Sequence, residues 1–322
     1  MATKRNVFTI APGAPFLETF VGAFLAGEIV PSLSRATPPL AMARATIYVP
    51  TRRAALALRT EFARAFDKGA TILPRILPLG GLEERETSAL FGDFSQDFDE
   101  GARPQIEPLE RGLLLAQLVM KWAEAISHAV VSAGPDGSFD YDESAPFRVA
   151  ASPSGAYALA RELAALIDEF VIEGASMEAV GSVIDDSSFD KYWAITTRFL
   201  GIARQSWSGM LDELGRMDAS TRQKMLIEAQ IARLESTPDH PPVIAIGSTG
   251  AQPTTARLLA AIAACEQGAV VLPGLDKVMD ETQWAMVGEG ENEPAFTHPQ
   301  TILKRLLATM RLTRADMREL GL

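Results

Sequence analysis

Short apolar runs that each feed a helix stand at both ends of this 322-residue chain, and its middle holds almost none. At the start, "VFTIA" (7–11) reads as a buried strand that stops at Pro12-Gly13. Helical periodicity follows from Phe16 to Ile29, with apolar residues at Phe16, Leu17, Phe20, Val21, Phe24 and Leu25. "ATIYVP" (45–50) is a second strand, and Thr51 is placed to cap the helix after it, whose apolar positions are Ala55, Leu58, Phe62 and Phe66. "ATILPRILPLGGL" is a third extended stretch, broken by Pro74 and Pro78. From Pro108 to Ile231 the periodicity is helical, with helices expected at 108–131, 154–173, 176–184, 189–214 and 218–234. The loop between the first two, "SAGPDGSFDYDESAPFR", is rich in Gly, Pro, Ser and Asp. Strands return at "VIAIGSTG" (243–250) and "GAVVLPG" (268–274), with a helix between them that has Pro253 in its first turn.

Strand–helix–strand order predicts an α/β fold with a parallel sheet. One sheet domain built from both ends, residues 1–104 and 239–322, with a helical insertion over 105–238, explains the pattern more simply than three domains. The clearest uninterrupted apolar run, Leu258–Cys265, is far shorter than the roughly 20 residues of a membrane-spanning helix. Pro12, Gly13 and Pro15 interrupt the place where a signal peptide would need its apolar helix. One cysteine, Cys265, excludes a disulfide framework and a multi-cysteine metal or iron–sulfur site within this chain. A cytoplasmic protein is expected.

The net charge is −11, which opposes a general attraction to nucleic acid. The distribution is uneven. From Arg44 to Arg75 seven residues are basic and two acidic, whereas from Glu83 to Glu110 nine are acidic and two basic. The basic segment has the makings of a phosphate-binding groove, or of a solvated helix face.

Three places were weighed for chemistry. The first strand-to-helix turn, with Thr9, Pro12, Gly13 and Phe16, sits where a P-loop would read G-x-x-x-x-G-K-[ST]. It has one glycine and no Lys, and its two prolines offer no N–H to a phosphate. A structural turn is the reading these residues favour. In the second place, a magnesium-holding strand would end in Asp, but Gly247, Ser248 and Thr249 follow Ile246. Asp276, after the next strand, reads as a cap. The three histidines, His128, His240 and His298, stand in unrelated contexts, and Ser248 is one place too early for a nucleophile elbow. No catalytic or metal-binding residue is assigned. The third place is "YVPTRRAALALR", which puts the Thr51 hydroxyl and the Arg52 and Arg53 guanidinium groups at a helix N-terminus. Arg75 is expected at the end of the neighbouring strand. These four are the candidate DNA-binding residues. Pairing of the arginines with the acidic segment stays open.

The pieces "FTIAPGAPFLETF", "ATIYVPTRRAALALRTEF", "ILPRILPLGGL", "EPLERGLLLAQLV", "ALARELAALIDEFVIEGASMEAV", "YWAITTRFLGIARQSW", "PVIAIGSTGAQPTTARLLAAIA" and "GAVVLPGLDKVMDE" run in order along nearly the whole chain. Together they resemble the N-terminal part of the AddB family, the second subunit of AddAB helicase–nucleases that process double-strand breaks, in its alphaproteobacterial form. The resemblance implies a RecA-like, superfamily 1 helicase-type sheet domain interrupted by a helical insertion. It implies a longer protein, whose second helicase half and C-terminal nuclease carry the iron–sulfur cluster and magnesium, with neither cofactor in this segment. It implies an AddA partner that supplies the motor, DNA ends as substrate, and a scaffold role that scans the emerging single strand for the Chi hotspot. Some family members keep a Lys in the first turn; this chain does not. Three functions stay open: a DNA-guiding, non-motor helicase-like module; a nucleotide-hydrolysing enzyme with a divergent P-loop; and a structural α/β module that docks a partner.

Overall fold

The computed structural model describes residues 6–66, 72–79, 103–127, 131–133, 139–141, 152–175, 191–237, 239–288 and 297–321. In chain order the elements begin with β1 (Val7–Ile10), α1 (Phe16–Ala26), α2 (Pro39–Arg44), β2 (Thr46–Val49), α3 (Arg52–Ala65) and β3 (Arg75–Pro78). Next come α4 (Pro108–Ser127), β4 (Val131–Ala133), β5 (Phe139–Tyr141), α5 (Pro153–Glu173), α6 (Lys191–Leu214) and α7 (Ala219–Ser236). The chain continues with β6 (Val243–Ile246), α8 (Pro253–Ala264), β7 (Gly268–Pro273), α9 (Glu281–Met286), α10 (Thr301–Met310) and β8 (Arg318–Leu320). The chain divides into two compact units, Met1–Ser95 with Met225–Leu322, and Gln96–Lys224.

The first unit is an α/β domain around one sheet of order β3-β2-β6-β7-β1-β8, in which every pairing is parallel. Strands from both ends of the chain are interleaved in it, with β6 and β7 lying between β2 and β1. This architecture is consistent with a RecA-like parallel sheet domain carrying a helical insertion. The central strands β1 and β6 are buried at every position because both faces are covered. On one face Phe8, Ile10, Ile47, Val49, Ile244 and Ile246 pack under α1 and α3. Phe24 and Phe62 join those helices edge to face, ring centroids 5.3 Å apart. On the other face Val7, Tyr48, Val243, Ala245, Val270 and Leu272 pack under α8, α10 and Ile227, Ile231 and Leu234 of α7. The Tyr48 hydroxyl has its pKa pushed up to about 12, chiefly by burial, with Arg75 and Arg233 opposing.

The second unit is mostly helical. Its core holds Ile106, Leu115, Val119, Ala156, Ala160, Leu163, Ile167, Ala203 and Trp207. A polar cluster joins its helices. Arg111 on α4 donates from both terminal nitrogens to Asp168 on α5, at 2.7 and 3.0 Å. Trp207 on α6 donates to Asp218 at 2.8 Å, and the Ser220 hydroxyl donates to Asp168 at 2.6 Å. Arg111 Nε and Asp218 Oδ1 approach to 2.8 Å, but neither has a hydrogen bond, so this contact is an ion pair out of line for one.

Two sequence expectations differ from the structure. The loop expected after α4 contains the antiparallel pair β4–β5. The helix expected at 176–184 lies outside the described residues. Among those residues no helix is long and apolar enough to cross a membrane.

Candidate functional site at the carboxyl edge of the sheet

In parallel α/β sheets ligands bind outside the carboxyl ends of strands, where successive connections leave toward opposite faces. Here β2 leads into α3 on one face, and its neighbour β6 leads into α8 on the other. Between them lies a crevice of about 230 Å³ lined by Pro50, Leu79, Gly247, Ser248, Thr249, Ala251, Gln252 and Thr255. The sequence reading contained Gly247, Ser248 and Thr249 and missed the other five. Those come from two other segments and from the start of α8, with no local signal to join them.

Each wall has a local cause. Gly247 takes φ +70, a left-handed conformation open to glycine, and turns the chain out of β6. The Ser248 hydroxyl accepts from Gly250 N at 3.3 Å and steadies that turn. Thr255 reaches the Gln252 side chain at 3.4 Å across the first turn of α8. Opposite, the Thr51 hydroxyl accepts from Ala54 N at 3.1 Å and caps α3. Arg52 and Arg53 are the first two residues of α3 and are exposed. That first turn holds no acidic residue. Cations there oppose the helix macrodipole, at a cost of about 0.3–1 kcal/mol each.

Arg75 is not with them. Parallel register pairs Arg75 with Thr46, at the amino end of β2, so it begins its strand at the opposite edge of the sheet. About 10 Å of strand separates it from the Thr51 turn. Alternation also sends it to the other face: Ile76 packs under α3, whereas the Arg75 charge acts on Tyr48 on the side of α8. The sequence placed Arg75 near a strand end without showing which end.

The first turn is built for packing. Only Ala11–Pro15 separate β1 from α1, and Ala14 N is spent on Ala11 O at 3.2 Å. The first turn of α1 carries Glu18, a charge that repels phosphate. Thr9 is fully buried; its hydroxyl donates to Leu272 O and accepts from Leu275 N, tying β1 to the exit of β7. The Pro12 ring meets Gly274 at 3.6 Å, measured to the position a Cβ would take. The Phe16 ring crosses to Gly247, 3.4 Å from its Cβ position. The two loops weighed separately for nucleotide chemistry are therefore in contact through an aromatic ring.

The cap expected at Asp276 falls instead on Asp280, the N-cap of α9, whose carboxylate accepts from Gln283 N; Asp276 closes the turn before it. Its carboxylate accepts from Val278 N and Met279 N at 2.8 Å each, and these donors hold its pKa below the usual range. Gln300 and the buried Arg314 fix that loop from a distance. Gln300 donates to Gly274 O and accepts from Asp276 N; Arg314 donates to Asp276 O and Met279 O and stacks on Trp284. Among the described residues no three His, Cys, Asp or Glu side chains converge as a metal site. Comparison with protein-family models and with curated proteins finds no match to this chain.

Proposed function

We propose that this chain is the helicase-like, non-motor part of a cytoplasmic double-strand break repair helicase–nuclease, and that it guides single-stranded DNA along the carboxyl edge of its sheet. The observation that carries the reading is the composition of that edge. The phosphate-cradling turn is a five-residue link with two prolines, and the Phe16 ring lies against Gly247 where a strand-end carboxylate would follow. Beside this closed corner stands a crevice of mixed lining, Pro50 and Leu79 facing Ser248, Thr249, Gln252 and Thr255, with two arginines on the adjoining helix start. Exposed guanidinium groups at a helix N-terminus grip backbone phosphate without reading sequence.

The AddB resemblance supports the same reading, with an AddA partner supplying the motor and the guided strand being scanned for Chi. Binding of a fluorescent oligo-dT, followed by anisotropy with and without magnesium-ATP, tests it. The reading expects strand binding that ATP leaves unchanged. A magnesium-ATP site at the Thr9–Phe16 turn, found by calorimetry, would favour the nucleotide-hydrolysing alternative instead.

A further inference from the structure

The sequence of α3 places its polar residues on one face. Ala55, Leu58 and Phe62 are buried, whereas Arg52, Arg53, Leu56, Arg59, Thr60, Ala63 and Arg64 are exposed. At about 3.6 residues per turn, Arg52 and Arg59 fall on one side of Leu56 and Ala63, and Arg53 and Arg64 fall on the other. The helix has a single carboxylate, Glu61, and Arg64 already meets it. A fifth arginine joins from another segment. Arg35 donates to Ala65 O at 2.8 Å and lies 5.7 Å above the Phe66 ring, at the C-terminal end of α3.

The result is a row of arginines from the crevice to the far end of the helix. Arg52 to Arg64 alone covers about 18 Å of helix axis. This stands on a chain of net charge −11. A solvated helix gains from mixed charges at i, i+3 and i, i+4 spacing, and unbalanced like charges cost stability. Between the two rows Leu56 is 65% exposed, an aliphatic surface for sugars and base faces.

We propose that the outward face of α3, with Arg35 at its end, is a sequence-independent track for the phosphate backbone of a DNA single strand, continuous with the crevice through Arg52 and Arg53. The inference rests on the reading of the crevice as a single-strand site and extends it. A flexible strand follows the helix, with phosphates met from both sides by guanidinium groups. Arg59 also donates to Ile76 O at 3.3 Å, which steadies its stem against β3.

The test compares three double variants and one single variant of the 322-residue chain, binding a short oligo-dT sized to the crevice and a longer one. Each single-strand phosphate contact contributes about 0.7 to the slope of log K against log salt. Arg59→Ala with Arg64→Ala is expected to lower the slope for the long oligonucleotide by about 1.4 and to leave the short one unchanged. Arg59→Lys with Arg64→Lys is expected to restore it, because backbone attraction needs the charge alone. Glu61→Gln, which releases Arg64 from its ion pair, is expected to strengthen long-strand binding.

Wild-type binding and slope in Arg59→Ala/Arg64→Ala would overturn the track. If Arg52→Ala/Arg53→Ala still lost short-strand binding, the crevice would stand without it. Loss in the Arg59/Arg64 variant alone would sustain the track and overturn the crevice. An acidic protein that competes for the face, with strand binding unaffected by either variant, would make it a protein interface and refute the inference.

Discussion

The Phe16 ring lies 3.4 Å from the place where a Cβ on Gly247 would stand, with the Pro50 ring 3.7 Å away on the other side. One contact therefore joins the turn after β1, the turn after β6 and the exit of β2. It fills the corner between these three turns.

Gly247→Ala and Gly13→Ala should destabilise the chain by similar amounts. Both glycines hold positive φ, +70 and +84, so each alanine meets a left-handed penalty of about 1–2 kcal/mol. At Gly13 the new methyl meets open space, and at Gly247 it meets the Phe16 and Pro50 rings at ordinary contact distance. Denaturant midpoints of the two variants check this, and a much larger loss at Gly247 would mean that the corner has no room for a methyl.

Arg53→Glu should stabilise the fold and weaken strand binding together. A carboxylate in the first turn of α3 complements the macrodipole, where the arginine opposes it, and gains about 0.3–1 kcal/mol each way. Removing and inverting a phosphate contact acts in the other direction on DNA. A variant that loses both stability and binding would make Arg53 a structural residue.

Arg75→Ala should leave the single-strand salt slope at its wild-type value. Its register with Thr46 puts it at the amino end of the sheet, away from the Thr51 turn. A fall of about 0.7 would return it to the binding surface.

Asp218→Asn should flatten part of the pH dependence of stability. Burial raises the Asp218 pKa, against the opposing charge of Arg111. The folded chain then keeps this proton at pH values where the unfolded chain, with its carboxyl near 3.9, has released it. That contribution is full below the unfolded pKa and is lost as pH rises through the raised folded one. The wild type should lose stability relative to Asp218→Asn over that interval, read from midpoints by Trp fluorescence. A constant difference at every pH would place the charge of Asp218 outside the balance.

The sheet was legible because its signals are local. Most of its strands are runs of mainly apolar residues, and "YVPT" announces a strand, a stop and a cap within four residues; the edge strand β8, Arg-Glu-Leu, carries no such signal. The joining of both chain ends was legible from the helical periodicity between them, although the short β4–β5 pair in that stretch was not. What the sequence hid depends on register and distance. Arg75 reads as a strand-end residue, but only the pairing with Thr46 says which end. Gln300 and Arg314 fix the loop after β7 across 24 and 38 residues of chain, with no motif to announce it. Arg111 and Asp168 lie on separate helices and Asp218 in the link before α7, and nothing in their spacing foretells that they meet. The row along α3 was half visible, since four of its arginines stand in one segment, but Arg35 enters by tertiary contact alone.

The central claim is that the arginines beside the crevice hold a DNA strand. The salt dependence of oligo-dT binding by the wild-type chain and by Arg52→Ala/Arg53→Ala tests it most directly. The account predicts tight wild-type binding at low salt and a slope smaller by about 1.4 in the variant, two single-strand phosphate contacts at about 0.7 each. Identical slopes and affinities would contradict it and reduce these arginines to the solvated start of a helix.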